Sequence, residues 1–303
     1  MPSLKDLKVR IKSVKSTQKI TKAMKMVAAA KLRRAREAAE AARPYADAMS
    51  GMVTRLAASS VGQANAPVLL VGTGKSQREL LIVMTADRGL SGAFNSSVVR
   101  AARKRIRELQ ADGKEVAIYT VGRKARDWLG EYKAQFVGSR TDMAKNTSYS
   151  MGEQVAADIL ALVEAGKVDR ISMVYNQFKS VISQVVTFQQ LMPLEVAGQQ
   201  SSVTSKESLS NDGRRVMGDS TYEYEPSEEE ILADLLPRNF AMQIFTAMLD
   251  TNAGFYGAQM NAMENATKNA GEMIKKLTLK YNRTRQANIT SELIEIISGA
   301  EAI

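Results

Sequence analysis

Residues 71–76 read VGTGKS, and Gly74, Lys75 and Ser76 are the types that reach phosphates and their magnesium in a phosphate-binding loop. Such a loop needs an earlier glycine at the position where Leu69 stands. It also needs a strand before it and a helix after it, whereas the strand-like run ELLIVMTA follows it, at 79–86. A second glycine turn, TADRGLSGAFN (85–95), lies where a dinucleotide fold places its pyrophosphate. It offers only Gly89 and Gly92, and the next strand-like run, EVAIYTVG, ends without the acid that would hold a ribose. The favoured reading is a tight turn shaped by its glycines, with Asp87 or Ser91 capping backbone amides. The chain has no cysteine and no histidine, which excludes thiol nucleophiles, disulfides, imidazole bases and most transition-metal sites. Catalysis would be left to carboxylates, lysines and hydroxyls.

The elements that must position these residues are of two kinds. From Ser3, a plausible N-cap, to about Ser59 the pattern is helical, with Leu4, Leu7, Ile11 and Val14 spaced as a coiled-coil seam. Near Thr17 and Gln18 the seam is expected to slip by a residue, so that Ile20, Met24 and Val27 take over. An alanine-rich stretch follows, and Pro44 should kink or weaken the rod. The other end reads as a second long helix from about Pro237, a good first-turn residue, to Gly299, a good stop. Its apolar positions run from Phe240 and Ile244 to Ile289, Leu293 and Ile296. Two such rods at opposite chain ends can bury each other's seams as an antiparallel pair. Gly254 and Gly257 should soften the second rod by about 1 kcal/mol each.

Between them the pattern alternates strand and helix. After ELLIVMTA come a helix from about Phe94 to Gln110, EVAIYTVG (115–122), a short helix near Trp128, a short strand at AQFVG and a helix over about 148–164. RISMVYNQF (170–178) and VISQVVTFQQL (181–191) are close enough to form a hairpin edge. The predicted fold is therefore mixed α/β: a long antiparallel coiled coil of N- and C-terminal helices with an inserted Rossmann-like α/β domain. The boundaries are 1–60 for the first coiled-coil helix, 78–192 for the α/β domain, 193–230 for a polar connecting loop and 231–303 for the second coiled-coil helix.

The formal charge of +10 is carried by one segment, since residues 1–36 hold twelve Lys or Arg and a single acid, Asp6. Nucleic-acid binding fits the charge, but residues 1–44 contain no aromatic side chain to stack on bases. A membrane-surface helix lacks the same anchors. There is no apolar run of the roughly eighteen residues that a membrane span needs, so membrane contact is expected only through partners. A third reading is a shaft whose basic residues, distributed around the rod, meet acidic surfaces of several protein partners in turn.

Four stretches, KVRIKSVKSTQKITKAMKMVAAAKLRRA, TADRGLSGAFN, YNQFKSVISQ and YNRTRQANITSELIEIISGAEAI, closely resemble the gamma subunit of the F-type ATP synthase. The last carries the signature Ile289, Thr290, Glu292, Glu295, Gly299, Ala300 and Ala302. The resemblance implies a central rotor shaft that couples proton flow through a membrane c ring to ATP synthesis or hydrolysis on beta subunits. It implies no catalytic site and no cofactor on this chain, with ATP, ADP and magnesium held by alpha and beta partners. The partners implied are three alpha and three beta subunits, an epsilon subunit and the c ring, with no nucleic acid. The location implied is the cytoplasmic face of a bacterial inner membrane. By resemblance, Met24 and Lys25 lie where the shaft leaves the beta subunits. Arg285, Gln286, Thr290, Glu292 and Glu295 engage the loops of the head, and Tyr222 and Glu225 meet the c ring. Many relatives carry Glu and Arg where Phe255 and Gln259 stand, which puts a charge contact there in doubt.

Overall fold

A computed structural model describes residues 3–60, 67–143, 147–194 and 227–301. Helix α1 (Leu4–Ser60) opens on a reciprocal cap: the Asp6 amide donates to Ser3 Oγ and the Ser3 amide to Asp6 Oδ2, both at 3.2 Å. It runs on through Pro44, whose missing N–H falls on the exposed side of the helix. Helix α6 (Glu228–Glu301, 74 residues) begins well before Pro237, which lies inside it, and continues past Gly299. A helix from Pro237 to Gly299 is therefore too short at both ends. A rod of that length spans roughly 110 Å.

The two helices are antiparallel. Lys31 sits over the Tyr256 ring, Lys25 pairs with Glu264 and Thr21 meets Thr267, so descent along one is ascent along the other. The α1 side of the seam is an unbroken heptad. Leu7, Val14, Thr21, Ala28, Ala35, Ala42, Met49 and Leu56 form one row, and Leu4, Ile11, Gln18, Lys25, Leu32, Ala39, Ala46 and Val53 the other, all buried or half-buried. The expected slip does not occur. Ile20 and Val27 are more than half exposed, and the seam keeps its register by accepting Gln18, Thr21 and Lys25. Those polar groups are tolerated because α6 satisfies them. Thr21 and Thr267 hydroxyls lie 2.8 Å apart, Gln18 Nε2 donates to the Thr267 carbonyl at 3.4 Å, and Lys25 Nζ is 3.2 Å from Glu264.

Between the rods lie α2 (Val68–Val71), β1 (Arg78–Met84), α3 (Phe94–Ala111), β2 (Glu115–Val121), α4 (Arg123–Trp128), β3 (Phe136–Arg140), α5 (Tyr149–Glu164), β4 (Arg170–Phe178) and β5 (Gln184–Met192). The sheet order is β3-β2-β1-β4-β5, parallel except for β5, which pairs antiparallel with β4. β1 is buried on both faces, as its continuous apolar run requires. Leu81 and Val83 face α3, packed with Val98, Ala102 and Ile106. Leu80, Ile82 and Met84 face α5 and α6, packed with Val155, Ile159, Phe240, Ile244 and Met248. One end of α6 thus serves as a covering helix of the sheet, so the rod and the domain share a core.

Candidate coupling surface of the shaft

The glycine turn after β1 is held from within. Asn95 Oδ1 accepts the Ala86 amide at 2.9 Å, and Asn95 Nδ2 donates to the Arg88 carbonyl at 3.0 Å. Asp87 caps amides as expected, but those of Arg123 and Asp142, at 2.9 and 3.1 Å. Ser91 does not: its hydroxyl is buried with no partner among the described residues, and the N-cap of α3 is Ala93. The left-handed steps belong to Leu90 and Gly92, with φ of 65° and 59°, and not to Gly89. The VGTGKS loop follows a short helix where a phosphate loop has a strand. Its Thr73 hydroxyl donates to Asp169 at 3.1 Å, and the Lys75 amide donates to Thr73 at 3.3 Å. Asp169 is fully buried, and the Arg78 guanidinium beside it at 2.9 Å holds its carboxyl below the usual range.

The turn carries mechanical contacts instead. Phe94, which starts α3, meets the ring of Phe255 on α6 edge-on, with centroids 6.1 Å apart. Around them Leu32 and Ala35 of α1, Ala86, Phe178 and Tyr256 form one buried cluster. Gly254 has a role beyond softening the helix: a Cβ there would lie 2.9 Å from the Phe94 ring, so glycine lets the turn press against the rod. Phe255, 2% exposed, is core at this junction, which explains an apolar residue there.

Beyond the junction the shaft is lopsided. Lys5, Lys8, Lys12, Lys15, Lys19 and Lys22 recur at alternating three- and four-residue spacing beside the seam, forming one exposed ridge. The expectation of basic residues spread around the rod fails over this stretch, because a heptad seam that does not slip keeps a heptad-spaced lysine row on one side. Val9, Ile20 and Val27, 56–62% exposed, lie on the outward face. Met24 is half-buried beside the seam, and Lys25 is committed to Glu264.

The antiparallel register places Leu4 opposite about residue 284. From Arg285 to residue 298 every side chain of α6 is exposed, so this tip is a single unpaired helix. It holds Arg285, Gln286, Thr290, Glu292 and Glu295 together within it. Arg285, Glu292 and Glu295 have no ion-pair partner among the described residues, while the Thr290 hydroxyl donates to the Gln286 carbonyl at 3.0 Å. Ile289, Leu293, Ile294, Ile296 and Ile297, 48–68% exposed, make the tip apolar as well as charged. Tyr222 and Glu225 lie outside the described residues. Reading the sequence missed Gln18, Thr21, Glu264 and Thr267. For Gln18 and Thr21 the signal is the α1 heptad itself, visible once polar residues are allowed to occupy it.

Comparison with known proteins gives the chain its family. A protein-family model described as ATP synthase matches residues 3–303. The ATP synthase gamma chain of Bradyrhizobium diazoefficiens is 54% identical over 306 residues, with 100% of both chains covered. That of Rhodospirillum rubrum is likewise 54% identical over 306 residues at full coverage of both. Among solved structures, a chain of the central stalk and c ring of the Tetrahymena thermophila mitochondrial ATP synthase is similar with a TM-score of 0.59 and 26% identity, over 82% of this chain and 99% of that one. A chain of the Euglena gracilis mitochondrial ATP synthase shares the fold, with a TM-score of 0.64 and 21% identity, over 99% of this chain and 94% of that one. With a family match from end to end and a free helical tip standing on a lopsided stem, the chain belongs to the ATP synthase gamma-chain family.

Proposed function

We propose that this chain is the central rotor shaft of an F-type ATP synthase, coupling proton flow through a c ring to ATP synthesis or hydrolysis on beta subunits. Its partners are three alpha and three beta subunits, an epsilon subunit and the c ring, and it sits peripherally at the cytoplasmic face of the membrane. No helix among the described residues is long and apolar enough to cross a membrane, so the membrane contact runs through those partners. ATP, ADP and magnesium are handled by the alpha and beta subunits; this chain makes and breaks no bond.

The observation that carries the reading is the asymmetry of the shaft. A rod that favours one of three equivalent sites must present a different face to each. The lysine ridge, the apolar outward face and the single-helix tip provide that difference. Moving a site from 1:99 to 99:1 requires about 5.5 kcal/mol of preference, within reach of a few charge-assisted contacts. Arg285, at the base of the tip, has a planar donor fork suited to carbonyls or carboxylates of a surrounding socket.

Reconstitution with alpha and beta subunits tests this. The purified chain is expected to show no ATPase activity, and the assembled complex to hydrolyse ATP and rotate. Arg285→Ala should leave assembly intact and lower the torque-coupled rate by about tenfold, the loss of one strong charge-assisted hydrogen bond. Equal losses of assembly and coupling would remove Arg285 from this role. ATP cleavage by the isolated chain would remove the proposal itself.

A further inference from the structure

The outer face of the α/β domain, away from the rods, carries a basic patch that the shaft does not use. α3 holds Arg100, Arg103, Lys104, Arg105 and Arg107 against a single acid, Glu108. Arg105 turns to the sheet, 3.3 Å from Glu79. The others line an open groove of about 680 Å³ between α3 and α4, floored by Val99 and by Trp128, the chain's one tryptophan. Trp128 is 40% exposed. Arg103 is pinned, its Nε 2.8 Å from Glu131 and its guanidinium donating to the Trp128 carbonyl. Arg100 and Arg107, one turn to either side of it, are exposed and have no acidic partner among the described residues. Lys124 lies 5.6 Å from the indole centroid.

Along this face Arg100 and Lys104, and Arg103 and Arg107, are like charges one turn apart, offset only in part by Lys104–Glu108 at 3.8 Å and Arg103–Glu131 at 2.8 Å. We propose that the groove is a docking surface for an acidic protein segment whose carboxylates pair with Arg100 and Arg107 while an apolar side chain rests on Trp128 and Val99. Arginine, with its bidentate fork, suits discrete carboxylates. Tryptophan and arginine are the types that dominate protein interfaces. Nucleic acid fits less well, because one indole provides no row of stacking platforms and Glu108 and Glu131 interrupt the positive field. A membrane surface fits less well because Trp128 is the one exposed apolar side chain of the groove, Val99 being 2% exposed, which is little to anchor in a headgroup layer.

The sole tryptophan makes the test direct. The full-length chain is titrated with a synthetic helical peptide of glutamate and leucine while Trp128 emission is followed. A saturable change is expected, with affinity reduced about tenfold in Arg100→Ala and again in Arg107→Ala, and unchanged in Arg105→Ala. A peptide with serine in place of leucine should bind more weakly and shift the emission less. Both arginines are solvent-facing, and an unaltered thermal midpoint separates lost docking from lost folding. A response to inorganic polyphosphate matching that to the peptide would overturn the proposal in favour of general polyanion binding. A response only to phosphatidylglycerol vesicles would make the patch a membrane contact, and no response to any probe would make it a solvated helix face.

Discussion

Gly122→Ala is expected to destabilise the α/β domain by on the order of 4 kcal/mol, among the largest effects of any single methyl group in this chain. Gly122 joins β2 to α4 with φ of 93°, and a Cβ there would lie 1.9 Å from the Thr85 carbonyl oxygen and 2.7 Å from its carbon. Both neighbours are backbone, so no rotamer change relieves the clash. Thr85 cannot retreat either: its amide donates to the Val121 carbonyl at 2.8 Å, and its hydroxyl accepts the Ala125 amide at 2.7 Å. The next residues of that turn lead to Phe94 and the contact with the rod. The expected readout is a large fall in the denaturant midpoint of the full chain, with reduced incorporation into the complex. Gly130→Ala, where a Cβ meets nothing within 4 Å, is the control and should change stability by less than about 0.5 kcal/mol. Similar midpoints for the two variants would refute the steric argument.

The second large effect is electrostatic. Asp250 on α6 is 5% exposed at the meeting of both rods with β4. Burial pushes its carboxyl up to about 6, while Arg43 of α1 and the Phe178 amide pull it the other way. In the unfolded chain it titrates near the ordinary value of about 3.9. A raised carboxyl favours the folded state when protonated. Its contribution is therefore fully present below about pH 4 and is lost as pH rises through about 6. Asp250→Asn, which mimics the protonated form, should stabilise the chain at about pH 8 by up to about 3 kcal/mol and leave it unchanged below about pH 4. Denaturant midpoints across that range check this. A uniform shift at every pH would show that packing, not ionisation, is the cause. Such a charge persists at the junction at a cost to stability.

The sequence discloses the strands and helices of the α/β domain well because each signal is local. The run ELLIVM is buried on both faces, Ser148 caps α5, and RISMVYNQF coincides with β4. The capping box at Ser3 is equally local. A coiled-coil seam is not apolar by definition: Ile20 and Val27 are hydrophobic but exposed, while Thr21 is 8% exposed and polar. Their placement depends on Thr267 and Glu264, more than two hundred residues away in sequence. The start of α6 is hidden from the local sequence for a related reason. Leu232 and Leu236 join Val53 and Leu56 of α1, so tertiary packing extends the helix past a proline that alone would begin one. Tip residues such as Arg285 and Glu295 are candidates by resemblance alone, since a charged residue on an exposed helix carries no local mark of what it meets.

The unpaired tip has a further consequence. A lone stretch of about fifteen residues is a marginal helix in water, because without a packed face it must stand on propensity alone. Here the hydroxyls of Thr290 and Ser298 also turn back onto carbonyls one turn earlier, at 3.0 and 2.8 Å, which tends to loosen and bend a helix. In the free chain its amides should exchange with deuterium well before those of the paired stem. Seated among apolar walls, the same turns would become rigid. The socket would then be what makes the end of the axle solid, and torque could pass through the tip only while it is held.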